Sequence, residues 1–267
     1  MSSPRTYSCA LITGASSGLG EEYARQLAGR VDKLILVARR ESHLTALAES
    51  IRNEFPRVAV ATYPADLSQA IERQQLIEAV HRSGFVPDLL INNAGLGDYG
   101  EFSTSDWEKI EAILHVNIEA LTHLTHAFVP EMIHRGGGAI MQVSSIASLV
   151  PIPDLAVYAA SKAYVTSFSE ALRIELLDYN IPVLAVCPGP VHTGFGKAAQ
   201  RTSAASEMSA REFFYVPKEQ VVAESISALD RQSARVYPGW KTAALAMVLA
   251  AMPIVLARLV MERRPRR

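Results

Sequence analysis

The sequence predicts a doubly wound α/β fold on a central parallel sheet of about seven strands. Three features point there. Short β-branched or leucine-rich runs recur along the 267 residues, segments of helix length with one apolar face lie between them, and the runs are continuously apolar instead of alternating. Strands joined through helical crossovers run parallel and are covered on both faces, which removes the polar half of a strand's usual alternation.

In chain order the strand segments are YSCALIT (7–13), KLILVA (33–38), VAVATY (58–63), DLLIN (88–92), AIMQVS (139–144), IPVLAV (181–186) and ARVYP (234–238). EEYARQLAGR (21–30), ESHLTALAESIRNEF (41–55) and QAIERQQLIEAVHRS (69–83) carry apolar residues at helical spacing, and two longer helices are expected at about 106–135 and 154–180. No repeat or low-complexity linker divides the chain, so residues 1–267 read as one domain. Two stretches break the rhythm. Residues 194–216, GFGKAAQRTSAASEMSAREFFYV, have no steady period and read as a mobile excursion over a site. Residues 242–257 are uncharged but contain Pro253, within an apolar C-terminal helix expected at about 241–262 and followed by RRPRR. The apolar stretch is shorter than the roughly twenty residues that cross a bilayer. Three roles stay open for it: covering a substrate pocket, covering a subunit contact, or lying on a membrane surface.

Composition removes other classes. With 26 basic against 27 acidic residues there is no broad field that would draw nucleic acid. Cys9 and Cys187 each sit in an apolar strand segment and read as buried small hydrophobes in a reducing compartment. The first residues show no apolar leader after a basic start, so a cytoplasmic protein is expected, with membrane association through the last helix as the variant. His115, His123 and His126 lack acidic or cysteine partners at ligand spacing, and no metal is expected.

The first strand runs into LITGASSGLGEEYARQL, where Gly14, Gly18 and Gly20 have the spacing G-x-x-x-G-x-G. Glycines there permit positive φ and let a pyrophosphate approach the amino terminus of the next helix, where unpaired N–H groups favour anions. Ser16, Ser17 and Leu19 complete the turn. The second strand ends at Arg39 and Arg40 with no acid in 37–40. An acidic side chain there suits a dinucleotide with a free ribose hydroxyl, whereas a guanidinium suits the phosphorylated form, so NADP(H) is predicted, with Arg39 preferred over Arg40. The alternative is that these arginines only solvate a helix start.

YAASKAY (158–164) places Tyr158 and Lys162 four residues apart, on one helix face. A free phenol, with a pKa of about 10, is a poor proton donor and acceptor at neutral pH, and a neighbouring ammonium is expected to lower it. Ser145 ends the fifth strand, where the carboxyl edge of a parallel sheet opens onto the ligand crevice; Ser144 is the alternative, facing the other way.

TGASSGLG (13–20), NNAG (92–95), Asn117 in HVNIEA, Ser144-Ser145, YAASK (158–162) and PGPVHT (188–193) follow one another in an order that resembles the short-chain dehydrogenase/reductase family. The resemblance covers most of the chain and implies a Rossmann-like fold and hydride transfer with Asn117, Ser145, Tyr158 and Lys162 as catalytic residues. It implies that Lys162, with Tyr158, also meets the nicotinamide ribose and that Asn117 holds a water that relays protons; a kink or cap is the plainer reading of Asn117. It further implies that Asp66 and Leu67 flank the adenine, that Asn93, Ala94 and Gly95 line the adenosine ribose, and that Pro188, Gly189, Val191 and Thr193 hold the nicotinamide. Ser17 departs from the family's common phosphate pattern, which has a basic residue before the second glycine. Members often form homodimers or homotetramers through the two long helices.

Leu149, Pro151, Ile152, Leu155, Phe195, Phe213 and Phe214 are the expected substrate-pocket residues, and their apolar character predicts a hydrophobic carbonyl or secondary alcohol. An NADP(H)-dependent oxidoreductase is therefore expected, against the alternative of a catalytically idle NADP(H)-sensing protein on the same fold.

Overall fold

The computed structural model describes residues 5–201 and 215–262. A seven-stranded parallel sheet has the order β3-β2-β1-β4-β5-β6-β7, formed by β1 (Tyr7–Thr13), β2 (Val31–Ala38), β3 (Ala59–Pro64), β4 (Leu89–Asn92), β5 (Ala139–Val143), β6 (Val183–Val186) and β7 (Arg235–Val236). The winding reverses between β1 and β4, and a sheet wound this way leaves a crevice beyond the carboxyl ends of those strands.

Alternation within each strand supplies two cores. Ala10 and Ile12 of β1 and Leu34 and Leu36 of β2 face α1 (Gly18–Leu27), α2 (Glu41–Glu54) and α8 (Lys218–Asp230) through Tyr23, Leu44, Ile51 and Val222. Cys9, Leu11, Ile35 and Val37 face the other way, against Leu76 and Val80 of α3 (Ala70–Arg82) and Leu124 and Phe128 of α5 (Leu121–His134). Both cysteines are buried and free.

The first long helix is interrupted. α4 (Trp107–Leu114) and α5 are joined by a π-helical turn, His115–Ala120, that carries Asn117. α6 (Ala156–Glu175) is continuous and is followed by a short 3₁₀ turn ending at Asn180 in the left-handed region, φ 56°. The expected C-terminal helix is also two helices, α9 (Trp240–Ala251) and α10 (Ile254–Glu262), because Pro253 cannot donate to the turn before it.

The excursion begins with α7 (Phe195–Ala199), and its stem is fastened by a pair that sequence reading missed. Arg201 donates Nε to Asp98 Oδ1 at 2.8 Å and Nη2 to Oδ2 at 2.5 Å, while its Nη1 donates to the Glu101 carbonyl at 3.0 Å. Both side chains are largely buried. Burial alone would raise the Asp98 carboxyl, but the hydrogen bonds and charge of Arg201 hold it below the usual carboxylate range. Beside the pair, the Tyr99 amide donates to the Ala199 carbonyl (2.8 Å) and the Gly100 amide to that of Asp154 (2.9 Å).

Removing one partner of such a pair costs about 3–5 kcal/mol. In Asp98→Ala the Tyr99 and Gly100 amides are therefore expected to exchange at least about a hundredfold faster, read by hydrogen–deuterium exchange. In the unaltered protein the stem's stabilisation is present above the pH where an unfolded aspartate titrates and is lost as pH falls through the lowered folded value.

Candidate active site

The Gly-rich turn is built to keep backbone bare. Gly14 and Gly18 have φ of +67° and +60°, which side chains rarely adopt, and a Cβ on Gly20 would lie 2.3 Å from the Gly14 carbonyl oxygen. Ser17, at the N-cap of α1, makes no side-chain cap, so the first-turn N–H groups of α1 have no side chain closing them off. Thr13, unmarked in the sequence, receives the amides of Asn93 and Ala94 on Oγ1 (both 3.0 Å), and Asn93 Nδ2 donates to the Thr13 carbonyl (2.9 Å). These bonds tie NNAG to the turn across the β1–β4 reversal. Thr193 closes the other side, its Cγ2 3.2 Å from where a Gly18 Cβ would stand. A bare, donor-rich cradle of this form fits the pyrophosphate of a dinucleotide.

Arg40 reaches back over the turn, with Nη2 donating to Ser16 Oγ at 3.0 Å and to the Ser16 carbonyl at 3.2 Å. Arg39 points to Asp66, Nη1 to Oδ2 at 3.9 Å, and stays mostly exposed. Asp66 Oδ1 accepts from the Ser68 amide and hydroxyl, leaving Leu67 buried beside it.

At the end of β5 the two serines part. Ser144 Oγ donates to the Lys162 carbonyl (2.8 Å) and shares a hydrogen bond with Thr166, whereas Ser145 Oγ accepts the Ala147 amide at 3.1 Å and lies on the Tyr158 side, where it acts to lower the phenol's pKa. Lys162 is buried, and its Nζ donates to the Val143 carbonyl at 2.8 Å. Gly95 gives it room, since a Cβ there would stand 3.3 Å from Nζ. Asn117 is held by three hydrogen bonds: Oδ1 accepts the Leu96 amide (2.8 Å), and Nδ2 donates to the Leu96 carbonyl and to Ser161 Oγ (both 2.9 Å). Ser161 in turn donates to the Tyr158 carbonyl at 2.7 Å, so Asn117 locks the NNAG loop to the first turns of α6.

The expected tuning of Tyr158 by Lys162 is not what this arrangement gives. Burial raises the Tyr158 phenol, with only the Ser145 hydrogen bond opposing it, and burial pushes the Lys162 ammonium down to about 8. The physical reason is distance and desolvation: Nζ lies 5.8 Å from the Tyr158 ring centre, and each group pays for its own removal from water.

Phe195 packs on Tyr158, ring centres 5.5 Å apart and tilted by 46°. Leu149, Pro151 and Ile152 line a cavity of about 930 Å³ with Ala156, Ala160 and Met261. Leu155 is not in its wall, and Phe213 and Phe214 lie outside the described residues. The cavity uses a different face of α6 from Tyr158 and Lys162, because residues 156, 160 and 163 stand about a third of a turn away. Val191 pairs with Val216, and Gly189 abuts Thr242 of α9, whose buried Oγ1 has no hydrogen-bond partner and lies 2.8 Å from a hypothetical Gly189 Cβ. Pro188 accepts the Ile146 amide at 3.0 Å, which holds PGPVHT against the Ser145 turn.

Known proteins resemble this chain. The chain is 33% identical over 242 residues to a very-long-chain 3-oxoacyl-CoA reductase-like protein of Arabidopsis thaliana, covering 87% of this chain and 73% of that one. Among solved structures it resembles a short-chain dehydrogenase from Sphingobium yanoikuyae in complex with NADPH (31% identity, TM-score 0.79, 97% of each chain covered). It also resembles a bulky-bulky ketone specific alcohol dehydrogenase from Comamonas testosteroni (28% identity, TM-score 0.77, 97% and 95% covered). The short chain dehydrogenase family profile matches residues 8–204, and with the seven-stranded sheet and the Ser-Tyr-Lys arrangement above it the chain belongs to that family of oxidoreductases.

Proposed function

We propose that the protein is an NADP(H)-dependent carbonyl reductase and alcohol dehydrogenase acting on a hydrophobic ketone or secondary alcohol. The observation that carries this is the placing of Ser145 beside the Tyr158 phenol, whose pKa it lowers, at the carboxyl edge of the sheet, with a buried lysine behind them. Gly14, Ser16, Ser17, Gly18, Leu19 and Gly20 would cradle the pyrophosphate, Arg39 and Arg40 the ribose phosphate, and Asn93 to Gly95 with Pro188, Gly189, Val191 and Thr193 the remainder. When bound, the nicotinamide supplies or accepts the hydride at the carbon of the reacting group.

In the reducing direction Tyr158 gives its proton to the carbonyl oxygen, and its raised pKa keeps that proton in place at neutral pH. Ser145 donates to the same oxygen and stabilises the charge growing there. Lys162 stands behind the phenol as the local positive charge and the family's contact to the nicotinamide ribose. Asn117 acts through others, fixing Leu96 and Ser161 so that Tyr158 keeps its place. The phosphorylated cofactor is favoured by Arg40 lying on Ser16, by the lack of an acid at 37–40, and by the NADPH complex of the Sphingobium relative. Phe195 packed on Tyr158 and the bulky ketone specificity named for the Comamonas relative favour a large hydrophobic substrate. A homodimer or homotetramer through α5 and α6 accords with Tyr164 and Ile174, which α6 leaves exposed.

Three outcomes test this reading. Tyr158→Phe, assayed by NADPH consumption over a panel of apolar ketones, should lose at least about a thousandfold in kcat/KM while still binding dinucleotide; undiminished reduction would overturn the mechanism. Arg39→Ala/Arg40→Ala should reduce the ratio of kcat/KM with NADPH to that with NADH by at least about tenfold, with Arg40→Ala alone giving the larger share. The kcat/KM for carbonyl reduction should fall as pH rises past about 8, where Lys162 loses its proton, and in Lys162→Arg the falling limb should move to higher pH.

A further inference from the structure

The described residues include fifteen large hydrophobic side chains that are exposed, and six of them fall between 240 and 259: Trp240, Met247, Val248, Val255, Leu256 and Leu259. Helical spacing gathers them. Met247 and Val248 share a side of α9, and Val255, Leu256 and Leu259 stand at i, i+1 and i+4 on α10. The opposite sides are engaged with the protein: Thr242 and Ala246 of α9 are buried, and Met261 of α10 forms part of the wall of the 930 Å³ cavity. Each helix therefore has an inner side that covers the fold and an outer side that is apolar and uncovered.

Charge is what identifies the occupant. From 240 to 262 the charged residues are Lys241, Arg258 and Glu262, and the sequence continues with Arg263, Arg264, Arg266 and Arg267. Five arginines against one glutamate over 258–267 make this end of the sequence strongly basic, and Trp240 and Lys241 stand at the start of α9. We infer that α9 and α10 form a docking surface for an anionic lipid bilayer, on which the protein lies without crossing it. Neither helix is long and apolar enough to cross a membrane. Apolar side chains enter the boundary between headgroups and acyl chains, tryptophan and lysine suit its headgroup level, and each arginine near an anionic surface adds attraction. A second copy of the chain is a poorer match in charge, because both partners would carry the same basic sequence and Glu262 is the lone acid in 240–262 to pair with it. The inference does not depend on the substrate proposed above.

The test is flotation of the full-length protein with vesicles of neutral phosphatidylcholine and with vesicles containing about 30% phosphatidylglycerol. The unaltered chain should float with the anionic vesicles, only weakly with the neutral ones, and less in about 0.5 M salt. Val255→Glu/Leu259→Glu, both at exposed positions, should reduce the bound fraction at least about tenfold with the circular dichroism spectrum unchanged. Arg263→Glu/Arg264→Glu should abolish the preference for anionic over neutral lipid. Equal flotation of the unaltered and Val255→Glu/Leu259→Glu proteins, or no flotation of the unaltered protein, would overturn the inference. So would a change of oligomeric state in Val255→Glu/Leu259→Glu by light scattering without lipid, which would assign the surface to a second copy.

Discussion

A buried ammonium constrains the centre of this protein. Lys162 enters the interior at the seam between α6 and β5 and meets the Val143 carbonyl, the last of the strand, at 2.8 Å. Charge taken from water needs polar partners, and here supplying one fixes how far α6 slides along β5. That register sets Tyr158 one turn earlier, opposite Ser145, which follows the strand by two residues. Ser144 reinforces it by donating to the Lys162 carbonyl from the other side. Moving the helix by one residue would part the amine from the Val143 carbonyl and the phenol from Ser145 together, so the seam and the chemistry are set by the same contact.

Around that seam the fold supplies two reversals of ordinary packing. The Gly-rich turn holds backbone where side chains would normally fill space, and the π-helical turn at 115–120 breaks an otherwise regular helix to bring an amide inward. Both features lie at the carboxyl edge of the sheet, and both are joined to it by side-chain bonds from Thr13, Asn93 and Asn117. The crevice is rigid because its loops are stapled to strands and helices by buried polar pairs, which lose much if broken.

All seven strands were legible from composition alone, since a sheet covered on both faces demands uninterrupted apolar runs such as KLILVA and IPVLAV. Asn117 bonds Ser161, next to Lys162, and Lys162 reaches Val143, two residues before Ser145, so the four residues that the family motifs group lie around one seam. What local sequence did not carry depends on distant partners. Arg201 sits about a hundred residues from Asp98, so no window of sequence contains both halves of that ion pair. Whether Arg39 or Arg40 turns toward Ser16 depends on the path of the chain leaving β2, and both residues are chemically the same. The direction in which the phenol is shifted depends on the balance of burial against a charge several ångströms away, which spacing alone does not weigh. In α9 and α10 the uncharged run was plain, but the break at Pro253 and the division into an inner and an outer side emerge only when the helices meet the rest of the protein.

Thr242 has a buried hydroxyl without a partner, resting against Gly189 in the segment expected to hold nicotinamide. It also belongs to the inner side of α9, so one helix touches the crevice with one flank and the surroundings with the other. Two equilibria that share a rigid element are thermodynamically linked. If loading the crevice changes how firmly α9 holds to whatever lies outside, then outside contact must change crevice affinity by the same factor, making this helix a reciprocal gauge of both.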